Sequence, residues 1–107
     1  MFRSTLSNLI PDAISYFEAS ASDGKWRAIF TGYGVDVYHY TTHMFTFLND
    51  GTIVPVDRGR GSQSDRAGVR KITKGCGAGF SISYRELYTP PFPKVTKSPA
   101  GYIVKVA

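Results

Sequence analysis

"KWRAIFTGYGVDVYHYTTHMFTFLNDGTIVPV", residues 25 to 56, is the stretch on which the fold turns. Apolar and polar side chains alternate along it with period two, which puts every second residue on one face of a pleated strand and rules out a helix of period 3.6. In "KWRAIF" Trp26, Ala28 and Phe30 alternate with Lys25 and Arg27, and in "VDVYHY" Val35 and Val37 flank Asp36. "TGYG" between them reads as a turn. "HMFTFL" and "TIVPV" follow as a third and fourth strand, joined across "NDG", whose Asp50-Gly51 pair takes the positive φ angles of a tight hairpin. Pro55 has no N–H to give to a ladder, so the fourth strand lies at an edge or stops early. These strands make an antiparallel meander.

Outward from the meander, the pattern changes period on both sides. Upstream, "LSNLIPDAISYFEAS" offers Ser7 or Asn8 as a cap and Pro11 in the tolerant first turn. Leu9, Ala13, Tyr16 and Phe17 recur at helical spacing, which predicts a helix near 9–20, ended by the small and turn-forming residues of "ASASDGK". Downstream, six of the eleven glycines (59, 61, 68, 75, 77 and 79) fall within twenty-one residues, giving that segment wide backbone freedom. Inside it, "SDRAGVRKITK" predicts a short helix near 64–74. Val69 and Ile72 share one face, while Arg66, Arg70 and Lys74, with Lys71 beside them, share another. Ser62 and Asp65 have capping-box spacing, and Gly75 suits a C-terminal stop.

Period two returns in "GFSISYREL", with Phe80, Ile82 and Tyr84 expected to face inward. The proline-rich "YTPPFPKVTKSPAG" reads as an extended surface crossing, with its P-x-x-P spacing either a groove-docking element or a stiff connector. "YIVKV" reads as a last strand. The expected fold is α+β: an antiparallel sheet of five or six strands with two short helices, in a single domain spanning 1–107.

At 107 residues the chain is long enough for one core. Its apolar fraction of 42% and aromatic fraction of 14% are those of a chain that folds. Charge is divided unevenly. Residues 1–57 carry three basic against six acidic side chains, a net of −3, whereas residues 58–107 carry ten basic against two acidic, a net of +8. Such an imbalance points either to an anionic partner for the second half or to solubility alone. The single cysteine, Cys76, excludes an internal disulfide framework and suits a reducing cytoplasm. No apolar run reaches the ~18 residues of a bilayer span, and no signal-peptide core is visible, so neither a membrane nor export is expected.

"YGVDVYHY", the hairpin with "DGTIV", and the Gly/Ser-rich turn into "SQSDRAGVRKI" together resemble a group of small uncharacterised proteins of tailed bacteriophages, over about residues 30–75. That group usually carries paired threonines at the helix start, where this chain has Ser64 and Asp65, so a role shared through those hydroxyls does not carry over. The resemblance implies a phage-encoded accessory protein acting in the host cytoplasm, against a host defence or a host enzyme. It implies no catalytic residue.

The chemistry-bearing residues concentrate in "RGRGSQSDRAGVRK", residues 58–71. A helix start presents unpaired N–H groups, so Ser62, Ser64 and nearby glycines can approach a phosphate while Arg58, Arg60, Arg66 and Arg70 neutralise it. Asp65 satisfies part of that helix end with its own carboxylate, and the run also reads as a solvated face. Lys74 extends the basic stripe. Tyr33 and Tyr88, beside turns, are the aromatic side chains that remain as stacking contacts. No P-loop or dinucleotide spacing is present, and "GCGAG" does not supply one. His39 and His43 sit on strands with no third ligand near in sequence, so no metal is expected. Cys76 reads as a small residue in a bend, and two glutamates provide poorly for acid–base work. No cofactor and no enzymatic activity are expected. The expected function is that of an accessory protein that binds and inhibits a host protein or complex; the alternative is nucleic-acid binding through the basic second half. Oligomeric state is not encoded in any of these signals.

Overall fold

The computed structural model describes residues 2–48, 52–74, 83–88 and 96–97. Its strands run in chain order as β1 (Phe2–Ser4), β2 (Glu18–Ala21), β3 (Trp26–Phe30), β4 (Gly34–His39), β5 (Thr42–Leu48), β6 (Thr52–Pro55) and β7 (Thr96–Lys97). They form one sheet in which each strand lies beside its neighbours in sequence. All pairings are antiparallel except β1 with β2. A 3-10 turn (Leu6–Asn8) and helix α1 (Leu9–Tyr16) make the crossover that this parallel pair requires; helices α2 (Gln63–Lys74) and α3 (Tyr84–Tyr88) follow the meander. The α+β class with a mostly antiparallel sheet is therefore that expected from the residue pattern.

The register explains which face is buried. Ala19, Ala28, Val37 and Phe45 stand opposite one another across four strands, with Trp26 opposite His39 and Phe47 opposite Ile53. The apolar side chains of this set join Leu9, Ile10 and Ala13 of α1 and Val69 and Ile72 of α2 in one buried cluster. Each large apolar side chain removed from water contributes about 1.5–3 kcal/mol, so a one-residue slip, which would turn the whole set outward, is excluded. The opposite face carries Arg27, Asp36, Tyr38, His43 and Thr46. There Thr46 donates to the Asp36 carboxylate at 2.7 Å and hydrogen bonds to His43 Nε2 at 2.8 Å, and Tyr38 lies between the His43 ring and the Arg27 guanidinium.

Three elements depart from the sequence expectation. The first helix stops at Tyr16, four residues early, because Phe17 adopts the left-handed conformation (φ 70°) and Glu18–Ala21 pairs into the sheet on both sides. Tertiary pairing there overrides the helical spacing of Tyr16 and Phe17. Residues 84–87, expected as strand, are helical: Ser83 and Glu86 cap each other, with the Ser83 N–H on Glu86 Oε1 at 3.0 Å and the Glu86 N–H on Ser83 Oγ at 3.1 Å. The proline-rich crossing contributes β7, which pairs with Thr52 and Ile53. β6 ends at Pro55, as its missing N–H dictates. The Asp50-Gly51 turn, the Gly75 stop, Phe80, Ile82 and the "YIVKV" strand lie outside the described residues.

Candidate functional site

Between α2 and α3 the surface opens into a basin of about 660 Å³, lined by Arg58, Arg66, Arg70, Ser83, Tyr84, Arg85 and Tyr88. Among the described residues it is lined by four arginines and by no acidic side chain. Tyr88, one of its lining residues, is anchored on the carbonyl of Met44, the residue that the β-bulge between β4 and β5 sets apart from the ladder. That oxygen accepts the N–H groups of Val56 at 2.9 Å and Asp57 at 3.2 Å, and the Tyr88 hydroxyl at 2.6 Å. One backbone atom thus ties the end of β6 and helix α3 to the sheet. Tyr84 donates to the Arg58 carbonyl at 2.6 Å, which fixes the loop on the basin's near side. Gly59 (φ 62°) and Gly61 (φ 70°) let that loop turn tightly, with Asp57 accepting the Gly59 N–H at 2.8 Å. Arg66 donates from Nε to the Gly61 carbonyl at 3.2 Å, and its guanidinium lies 5.8 Å from the centre of the Tyr84 ring.

Burial pushes the Tyr84 phenol above its ordinary value. The Asp65 charge adds to the rise, and Arg58 and Arg66 oppose it. Tyr88, more deeply buried, is pushed far above the ordinary phenol range, first by burial and then by the neighbouring Tyr84. Both rings are neutral hydrogen-bond donors at any physiological pH.

On the inward side of the same helix lies a second cluster. His39 Nδ1 meets Asp65 Oδ1 at 2.5 Å, with both side chains under a tenth exposed, and His39 Nε2 meets Ser64 Oγ at 3.2 Å. The imidazole is stacked on Trp26, ring centres 4.2 Å apart, and flanked by Tyr40 at 4.8 Å. Asp65 Oδ2 accepts the N–H groups of Arg60 and Ser62, each at 3.1 Å, and the Asp65 N–H donates to Ser62 Oγ at 3.1 Å. The capping box read from Ser62 and Asp65 is therefore present, with the carboxylate shared between helix end and histidine. Burial raises the Asp65 carboxyl, but the hydrogen bonds from His39 and from the Ser62 and Arg60 N–H groups outweigh it and hold the group below its ordinary range.

Of the residues singled out from sequence, the structure brings Arg58, Arg66, Arg70 and Tyr88 to the basin. Arg60 is exposed and is not among the lining residues. Lys74 faces a separate depression of about 470 Å³, beside Lys71 and the 3-10 turn. Tyr33 is 59% exposed in the turn between β3 and β4, away from the basin, whereas Tyr88 is 7% exposed and offers little ring area for stacking. His39 and His43 point to opposite faces of the sheet, since His43 pairs with Tyr38 and His39 with Trp26. Among the described residues no group of three His, Cys, Asp or Glu side chains converges as a metal site requires. Sequence reading missed Ser83, Tyr84 and Arg85 by taking them for a strand. The S-x-x-E spacing of Ser83 and Glu86 is the signal that finds them. No local signal pairs His39 with Asp65, which are 26 residues apart. None of the described helices is long and apolar enough to cross a membrane. Neither a family model, nor a curated protein, nor a solved structure matches this chain.

Proposed function

We propose that the chain is an accessory binding protein whose arginine basin engages the phosphate backbone of a nucleic acid. The observation that carries this reading is the convergence of Arg58, Arg66, Arg70 and Arg85 on one open depression with no acidic side chain among its described lining residues. Guanidinium groups match phosphate oxygens in a planar two-pronged geometry, and a shallow basin admits a polymer passing across it better than an enclosed small molecule. With Tyr88 buried and Tyr84 tied to the loop, phosphate contacts supply the affinity and base stacking little, so binding follows charge rather than sequence.

The same lack of a stacking platform supports a second reading, in which an acidic protein surface of a host macromolecule occupies the basin and is thereby inhibited. One pair of measurements separates the two. Fluorescence anisotropy with single- and double-stranded oligonucleotides across a salt series should give log K falling with log salt at a slope of about −3 to −4 for four phosphate contacts. In the Arg66→Glu, Arg70→Glu double variant the slope should shrink by about half or binding disappear. A parent that shows no salt-dependent binding at micromolar concentration defeats the nucleic-acid reading. Retention of a near-stoichiometric protein from nuclease-treated bacterial lysate, lost in the double variant, would then support the acidic-protein reading.

A further inference from the structure

The cluster on the inward side of α2 goes beyond this binding surface. We infer that Ser64 is an activated nucleophile for acyl transfer, with His39 as its general base and Asp65 as the group that positions the base.

The assignment rests on which atoms meet. Asp65 Oδ1 contacts His39 Nδ1, and Ser64 Oγ contacts His39 Nε2, so the carboxylate and the hydroxyl occupy opposite nitrogens of one ring. An ionised carboxylate only accepts hydrogen bonds, so Nδ1 carries the proton in the neutral imidazole and Nε2 presents its lone pair to the serine. A nucleophile within reach of a base that a third group orients is the arrangement that makes a hydroxyl reactive at neutral pH. The environment is graded in the right sense. His39 and Asp65 are buried, with the ring plane held by Trp26 and Tyr40, while Ser64 is exposed to an incoming substrate. Asp65 is secured by two backbone N–H groups as well as by His39, so its carboxylate does not turn away when the ring changes charge.

The step balances without a cofactor. Ser64 Oγ adds to the carbonyl carbon of an activated ester as its proton passes to His39 Nε2. The tetrahedral intermediate then collapses, the C–O bond to the leaving group breaks, and His39 Nε2 returns the proton to the departing oxygen. Water, activated by the same nitrogen, hydrolyses the acyl-serine and restores the free hydroxyl. Because Ser64 lies on an open surface, the substrate class is an activated acyl ester with an exposed carbonyl rather than one that must be enclosed.

A fluorophosphonate probe followed by peptide mapping tests the inference on the full chain. Ser64 should be labelled in the parent, no label should appear at that peptide in Ser64→Ala, and His39→Gln should slow labelling at least about a hundredfold. Ser64 is exposed, so Ser64→Ala keeps the fold, and circular dichroism of each variant identifies loss by unfolding. For Asp65 the readout is the downfield Nδ1 proton resonance of His39, expected to move upfield in Asp65→Asn together with a loss of labelling. Labelling of Ser64 no faster than in the urea-unfolded parent overturns the assignment, as does equal labelling in a folded His39→Gln. An unchanged His39 resonance in Asp65→Asn overturns the part given to Asp65.

Discussion

The two sides of helix α2 treat charge in opposite ways. On the inward side Asp65 is buried and fully engaged, accepting from His39 and two backbone N–H groups. On the outward side Arg66 and Arg70 stand at an open basin with two further arginines. The contrast is physical. A buried carboxylate persists only if its oxygens are satisfied, so its partners are fixed by the fold, whereas charge on an exposed face adds little to stability. The two proposals accordingly fall on the two sides: attraction of an anionic polymer outside, and a positioned histidine inside.

The comparison breaks first if Asp65 is removed. Asp65→Ala leaves His39 and two N–H groups without their acceptor, and should cost about 3–5 kcal/mol in urea unfolding. A loss under about 1 kcal/mol would place Asp65 among ordinary surface residues. Next comes Gly68, where an added Cβ would overlap the Trp26 ring and push α2 off the sheet. Gly68→Ala should cost about 1–3 kcal/mol despite the better helix propensity of alanine. Acid sharpens the contrast further. The Asp65 carboxyl is held below its ordinary value, so its contribution is complete above the unfolded value of about 4 and is lost as pH falls through the lower native value. Chemical denaturation across pH 2 to 6 should therefore show a stability loss at the acid end that is smaller in Asp65→Asn. The smallest expected effect lies on the outer side: Arg66→Glu with Arg70→Glu should shift stability by no more than about 0.5 kcal/mol per site while weakening oligonucleotide binding.

Much of this frame was legible in the residues. Period-two alternation from Lys25 to Val56 announced the meander, and the spacing of Val69 and Ile72 against Arg66 and Arg70 announced which side of α2 is buried. What escaped depended on partners distant in sequence. Glu18–Ala21 becomes a strand because β1 and β3 lie on either side of it, and no helical spacing count registers that. His39 acquires its meaning from Asp65 and Ser64 across the sheet-to-helix interface. Helix α3 differs in kind: alternation in "SISYREL" reads as a strand, but the reciprocal cap of Ser83 and Glu86 is the more local and more directional signal.

Chemical-shift mapping with a short oligonucleotide tests the central claim, that the anionic partner sits in the arginine basin, most directly. In a low-salt ¹⁵N–¹H titration the amides of Arg58, Arg66, Arg70 and Ser83–Tyr88 should move together and saturate, while those of Lys71, Lys74 and the outer sheet face stay in place. Shifts centred instead on Arg27, Tyr38 and His43, or on the depression beside Lys71 and Lys74, would contradict it.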